Sequence, residues 1–423
     1  MTGPGLPLYL QPRMLLMFAL GFGSGLPLLL TGSTLLAWLV GVGVPTAELG
    51  LFSLYSMPYS LKLLWAPLLD RVAPLPRLGR RRGWMLGTQL LLVGAIAALG
   101  GADPARQPLT TAGLALLVAT LSATQDIAVD AYRTDLLSPE QAAAGTAAFV
   151  FGYRMAMVVA GALALRLFDA LHADFRRVYF IMAAALLPAL LATLLAPAEP
   201  PPAGAPGAAG FARMVLDPLR DFFQRPSAPL ILLFVMLYRL SDTLATALIT
   251  PFLLQVGYTN TQVADATKLF GLLASILGAL LGGAVVLRVG LLRSLYVFGV
   301  LQAASNLGYV AIAHRFAHAA APAACSLPLL YVAVVVDNLC TGLAVAAIGG
   351  FLITLCNRRF SATQAALLSS ASGVLGRVLG GVSGFFVARW GWEAFLLATV
   401  AIGAPALALL WRVDRAGGLK TLR

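Results

Sequence analysis

SPEQAAAGTAAFVFGYRMAMVVAGAL, Ser138 to Leu163, aligns without gaps to SATQAALLSSASGVLGRVLGGVSGFF, Ser361 to Phe386. Ser138 meets Ser361, Gln141 meets Gln364, Ala142 meets Ala365, Arg154 meets Arg377 and Gly161 meets Gly384. So many identities over one apolar run are not a product of chance. Each copy is long enough to cross ~30 Å of hydrocarbon as a helix. What repeats is therefore a membrane-spanning element, with an arginine near its middle.

The rest of the chain agrees. It is 60% hydrophobic and 11% charged over 423 residues, with a mean hydropathy of +0.87. A water-soluble domain must cover its outside with polar groups, and this composition does not allow it. The apolar runs are about 20 residues or longer, without the alternation of barrel strands. The expected fold class is all-α membrane protein with twelve spans, near 14–40, 48–69, 84–101, 109–132, 145–166, 178–196, 229–254, 262–287, 291–313, 327–356, 362–388 and 392–411. The first has no small-residue cleavage site after a short core and reads as a retained helix. Spans 5 and 11 carry the repeat, so the chain divides into a six-helix bundle over 1–196, a linker over 197–228 and a second six-helix bundle over 229–423. The linker opens Pro- and Gly-rich, then alternates Phe211, Met214, Val215, Leu219, Phe222 and Phe223 with Arg213, Asp217, Arg220, Asp221 and Arg225. That pattern predicts an amphipathic helix on the cytoplasmic membrane surface.

The net charge of +12 lies mostly in the connections, so it reads as topology rather than as a nucleic-acid patch. With the N-terminus in the cytoplasm, eighteen Lys and Arg residues fall in cytoplasmic segments and six outside. The C-terminus is then cytoplasmic as well. Cys325, Cys340 and Cys356 do not form a disulfide framework. His172, His314 and His318 show no metal-ligand spacing, and no phosphate-binding loop is present, so neither an enzyme nor an ATP-driven pump is expected.

Five cations remain inside the spans: Lys62, Arg154, Arg239, Lys268 and Arg377. A charge at a span centre costs about 2.5–3.5 kcal/mol on insertion scales, so each asks for a reason. Arg154 and Arg377 suit a substrate carboxylate or phosphate, or structural pairs with Asp126 or Asp337. Arg239 and Asp242 are three apart and share a helix face, as do Asp265 and Lys268. Lys62 follows Tyr59 and Tyr55 at spacings of three and four, a stripe that fits either a sugar or ordinary bundle packing. In LSATQDIAVDAYRTD, Leu121 to Asp135, Asp126 and Asp130 are four apart on one face. Two carboxylates so close in low dielectric do not both ionise easily, which makes them a candidate proton relay. Asp135 reads instead as a boundary residue that pairs with the Arg80 to Arg82 loop.

That loop, APLLDRVAPLPRLGRRRGW from Ala66 to Trp84, resembles the signature between spans 2 and 3 of the major facilitator superfamily, with Ala66 where the signature has Gly. The resemblance implies a cytoplasmic gate at Asp70, Arg71 and Arg81, in which Asp70 accepts hydrogen bonds from a helix N-terminus or an arginine. It also implies a substrate cavity near the midplane, with Arg154 and Arg377 facing each other across it. GFGSGLPLLLTGSTLLAWL from Gly21, LGLFSLYSMPYSLKLLWAPLLDR from Leu49, GRRRGWMLGTQLLL from Gly79, SATQDIAVDAYRTDLL from Ser122 and GYRMAMVVAGALAL from Gly152 are similar to the AmpG muropeptide permease family.

Membership implies import of N-acetylglucosaminyl-1,6-anhydro-N-acetylmuramyl peptides across the bacterial inner membrane. The proton gradient would drive it, without a cofactor. Lys62, Arg154, Arg239, Arg377, Tyr55, Tyr59 and Gln125 are then candidates for the glycopeptide substrate, and Asp126, Asp130, Asp242 and Asp337 for the proton. The chain is expected to act as a monomer in lipid, with no metal and no nucleic acid. The segment from Gln125 to Asp130 is also similar to the acetyl-CoA transporter family, a polyanion alternative. A non-transporting membrane scaffold of the same fold is the alternative of another class.

Overall fold

A computed structural model describes residues 8–42, 57–171, 174–199, 211–225, 227–318 and 326–415. The chain is helical: α1 Pro12–Thr31, α2 Ser33–Gly41, α3 Met57–Leu61, α4 Ala66–Arg71, α5 Arg80–Gly101, α6 Pro108–Leu136, α7 Ala142–Val158, α8 Ala164–Ala170, α9 Phe175–Ala184, α10 Leu187–Leu195, α11 Phe211–Phe223, α12 Ala228–Tyr238, α13 Leu240–Val256, α14 Asn260–Ala264, α15 Gly271–Val289, α16 Leu291–Ser305, α17 Leu307–His318, α18 Leu327–Leu355 and α19 Ser361–Arg415. Several successive helices are one span with a bend. Among the described residues ten such spans are long and apolar enough to cross a membrane. Of the other two expected, the second, 48–69, begins outside the described residues and is broken by a turn at Lys62–Leu64, and the eleventh is the first part of α19, which bends at Gly391.

The helices gather into two compact units, Met1–Ser138 with Ala148–Pro218 and Cys356–Ala366, and Pro139–Ala147 with Leu219–Leu355 and Leu367–Arg423. The first unit takes in the short segment 356–366 and the second takes in 139–147. In lipid, apolar area does not drive helices together, so close approach depends on small residues. Gly21 and Gly25 of α1 lie against the backbone of Phe149 and Tyr153 on α7, and Gly152 of α7 lies against the backbone of Phe18. In the second unit Gly278 and Gly282 of α15 lie against Leu339 and Leu343 of α18, and Gly342 against Ser275. The first unit's core gathers Leu26, Leu30, Trp38, Leu92, Ile96 and Tyr179. Tyr179 also closes the bend after α1, its hydroxyl donating to the Leu30 carbonyl at 2.6 Å.

The repeat is visible in backbone geometry. Gly79 precedes α5 with φ +88° and Gly290 precedes α16 with φ +91°, a region closed to most side chains. Each opens the third span of its half.

Two expected helix faces are corrected. Around Lys62 the span is not continuous: a 3-10 turn at Lys62–Leu64 separates α3 from α4. A stripe reckoned at 3.6 residues per turn therefore does not run from Tyr59 through Lys62. Asp265 and Lys268 lie on a π-helical turn, Asp265–Phe270, and both are exposed. That wider turn takes i and i+3 out of line, and no ion pair joins the two.

Candidate functional site

The most completely bonded charges of the first unit sit where α4, α5, α6 and the start of α19 meet. Arg81, on the first turn of α5, is fully buried. Its Nη2 donates to Asp70 Oδ1 at 2.6 Å and to Ser361 Oγ at 2.7 Å, its Nε to Asp135 Oδ2 at 3.0 Å and its Nη1 to the Leu69 carbonyl at 2.7 Å. Asp70 accepts further bonds from the backbone N–H of Ala362 at 3.1 Å and of Thr363 at 2.9 Å, and from Thr363 Oγ1 at 2.6 Å. The first N–H groups of a helix have no partner within it, and a carboxylate there meets both that need and the helix dipole. Arg80 Nη1 donates to the Asp70 carbonyl.

The α5 end is held from a second side. Glu199, in the segment after α10, accepts from the N–H of Arg81 at 2.7 Å and of Arg82 at 3.2 Å. Tyr132 Oη donates to the Pro197 carbonyl at 2.8 Å and Arg82 Nη2 to the Leu194 carbonyl at 2.9 Å. The sequence signalled none of this: Glu199 is read there as part of a Pro/Gly linker, with no spacing that points to residues so far upstream. Arg71, expected with Asp70 and Arg81, is elsewhere, 3.9 Å from Asp217 on α11. Nor does α11 present only an open amphipathic face, since Phe222 is fully buried and the Pro218 carbonyl accepts from Gln364.

Deeper along α6 the pattern changes. Asp130 pairs with Arg133 at 3.0 Å, and the Arg133 guanidinium lies 4.1 Å over the Phe149 ring. Asp135 makes the pairing with the Arg80 to Arg82 loop that the sequence suggests, 3.9 Å from Arg80 and 3.0 Å from Arg81. Asp126 has a buried Oδ1 without a hydrogen-bond partner among the described residues. The cation acting most strongly on it is Lys62, and Ser24 is its neighbour on α1. The Tyr153 hydroxyl lies in the fields of Asp126, Arg154 and Asp130. One region of this unit thus brings together Lys62, Asp126, Asp130 and Arg154. Tyr59 is half-buried on α3. Gln125 is placed away from any open face, fully buried beside Gly23 and within the reach of Gln89. Tyr55 lies outside the described residues, as does the Arg377 side chain.

The second unit holds its carboxylates differently. Arg239, at the break between α12 and α13, pairs with Asp242 at 3.1 Å, and Asp242 also accepts from Thr341 at 2.8 Å. Asp337, buried on α18, accepts from Ser305 at 2.8 Å and Tyr309 at 3.3 Å. Asn306 donates to Ser241 at 3.1 Å and Thr399 at 3.0 Å, which ties the end of α16 to α13 and α19. Among the described residues no group of three His, Cys, Asp or Glu could hold a metal ion.

Residues 13–325 match the family model of the Major Facilitator Superfamily. The chain is 45% identical over 412 residues to the anhydromuropeptide permease of Escherichia coli (strain K12), covering 97% of this chain and 81% of that protein. It is 32% identical to AmpG 4 of Rickettsia conorii, covering 94% and 95%. The fold is similar to that of the E. coli fucose:proton symporter FucP, with a TM-score of 0.71, 12% identity and coverage of 96% and 99%. These relatives are transporters, not enzymes. The repeat, the multi-pass helical fold and the likeness along almost the whole chain agree, and the chain belongs to the AmpG muropeptide permease family of the major facilitator superfamily.

Proposed function

We propose that this transporter imports anhydro-muropeptides from the periplasm to the cytoplasm across the bacterial inner membrane, coupled to protons, for cell-wall recycling. The observation that carries the reading is the grouping of Lys62 and Arg154 with Asp126 and Asp130 inside one unit. A muropeptide carries peptide carboxylates on a disaccharide, and fixed cations inside a span suit such an anion. The 45% identity to a protein named anhydromuropeptide permease supports the substrate class. Arg377, Arg239, Tyr55 and Tyr59 remain proposed substrate contacts. Asp126 is the preferred proton carrier, ahead of Asp130, Asp242 and Asp337, because Asp130 and Asp242 are committed to arginines and Asp337 to hydroxyl donors.

Asp70 and Arg81 form the proposed cytoplasmic gate, since they bind the segment that opens α19. The chain acts as a monomer with both termini in the cytoplasm, and the proton gradient serves in place of a cofactor. The test is uptake of radiolabelled anhydro-muropeptide into proteoliposomes, with and without an inward proton gradient. Wild type accumulates the label only with the gradient, and Arg154→Ala loses at least about tenfold in uptake. Uptake that ignores the gradient sinks the coupling. No uptake of this label, with uptake of labelled acetyl-CoA by the same vesicles, points to the other anion.

A further inference from the structure

We propose that the first unit encloses a water-filled polar chamber, lined by Ser24, Gln89, Ser122 and Gln125, which hydrates Asp126 from inside the bundle and delivers its proton. The proposal rests on the reading of Asp126 as proton carrier.

The four residues come from α1, α5 and α6 and are at most 1% exposed. Their six side-chain nitrogen and oxygen atoms, together with Asp126 Oδ1, have no hydrogen-bond partner among the described residues. Other such atoms in the unit, Arg80 Nε, Arg82 Nε and Asp135 Oδ1, are single and sit on side chains bonded through another atom. Thr31, Thr34, Thr88 and Tyr179, equally buried around them, each donate to a backbone carbonyl. Buried polar atoms in native proteins are bonded to protein or to ordered water, so a cluster left over in one place marks water.

The atoms converge. A Cβ on Gly23 would lie 3.2 Å from Gln125 Nε2 and 4.0 Å from Gln89 Nε2, so the two amides approach α1 at one point. Ser24 is the next residue and neighbours Asp126. Ser122 and Asp126 are four apart on α6 and share a face, about 6 Å apart along the axis. The two amides and Ser24 thus gather at one stretch of α1, with Asp126 beside Ser24 and Ser122 one turn before it on α6.

Donor and acceptor chemistry selects the occupant. Two amide nitrogens and two hydroxyls have protons to donate, whereas two amide oxygens and the carboxylate oxygen accept. A bare cation would leave the nitrogens unmet and an anion would leave the oxygens unmet. Water meets both. Amides and hydroxyls do not exchange their charge near neutral pH, so they orient the water while Asp126 takes the proton. The charged and titratable groups that act on Asp126 are Lys62, Asp130 and Arg133, with Tyr153 and Arg154 beyond.

The second unit carries one comparable amide, beside a carboxylate that is already bonded. Gln302 lies on α16, which opens the third span there as α5 does in the first unit. It is 2% exposed with both amide atoms unpartnered, and one turn later Ser305 donates to the α18 carboxylate Asp337.

Two measurements test the chamber. In the first, Gln89→Met and Gln125→Met are made singly and the purified proteins are exposed to hydroxyl radicals generated from water by an X-ray pulse. In a wet chamber the introduced methionine oxidises at least about tenfold faster than the dry internal controls Met14 and Met17, both fully buried on α1. Equal rates overturn the proposal. In the second, Gln89→Met is compared with wild type in proteoliposomes for gradient-driven accumulation and for gradient-free exchange of muropeptide. Accumulation falls at least about tenfold while exchange stays within about twofold. Loss of both together, or of neither, overturns the delivery role. Asp126→Asn runs alongside: if it accumulates like wild type, the proton-carrier reading has failed, whereas the oxidation readout still decides whether the chamber is wet.

Discussion

Asp70 and Asp126 are both aspartates of the first unit, and their surroundings are opposites. Asp70 has every lone pair directed at a donor: an arginine, two helix N–H groups and a hydroxyl. Asp126 has a cation acting on it and Ser24 beside it, but its Oδ1 has no hydrogen-bond partner among the described residues. A saturated carboxylate is fixed in charge and place, since any change strands several partners at once. An unsaturated one can change its protonation state without tearing a network. The difference matches the roles proposed for the two, latch and proton carrier, and five substitutions break or sharpen it.

The largest effect is expected at the latch. Arg81→Ala leaves Asp70 and Asp135 buried without their shared cation, and breaking a buried pair in this way costs about 3–5 kcal/mol. Purified Arg81→Ala, unfolded by heat or denaturant in detergent, should show that loss, together with lost uptake. Arg81→Lys should recover only part of it, because an ammonium cannot reproduce the fork that spans Asp70, Asp135, Leu69 and Ser361. Wild-type stability in Arg81→Ala would mean the network contributes nothing.

An intermediate effect is expected at Glu199, which holds the same arginine only through the backbone. Glu199→Gln keeps an acceptor for one N–H group but loses the charge at the start of α5, worth about 0.5–1 kcal/mol in stability. Because the anion is half-buried, the deficit should shrink as salt is raised. A loss as large as that of Arg81→Ala would move Glu199 into the latch itself.

How much of this the sequence reveals depends on the distance over which each contact acts. Spans follow from length and apolarity, which are local, and the repeat follows from one gapless alignment. Asp126 and Asp130 share a face because helical periodicity is local too. The Asp70 latch is half legible: the loop motif names Asp70 and Arg81, but Ser361 and Thr363 lie 280 and 293 residues away from their partners. Glu199 is invisible for the same reason, at a separation of 118 from Arg81. Periodicity fails outright where the helix changes pitch, as at Lys62 and at the Asp265–Lys268 turn. Gln89 and Gln302 read as ordinary residues of apolar helices, because nothing in a sequence says which buried amide lacks a partner.

The smallest effect on stability is expected at the carrier, and it is the most informative. Asp126→Asn removes a charge held inside the bundle and adds two amide protons that the chamber's oxygens and water can accept. Replacing a buried charge by a neutral group of the same shape is often neutral or stabilising. The variant should therefore unfold within about 0.5 kcal/mol of wild type, or above it, while losing gradient-driven accumulation and keeping exchange. Asp70→Asn should do the reverse, because it leaves Arg81 short of an anion and the α19 N–H groups short of an acceptor, so stability falls whether or not a gradient is present. If both variants lost stability equally, the two carboxylates would have the same task, and Asp126 would be part of the scaffold rather than the moving charge.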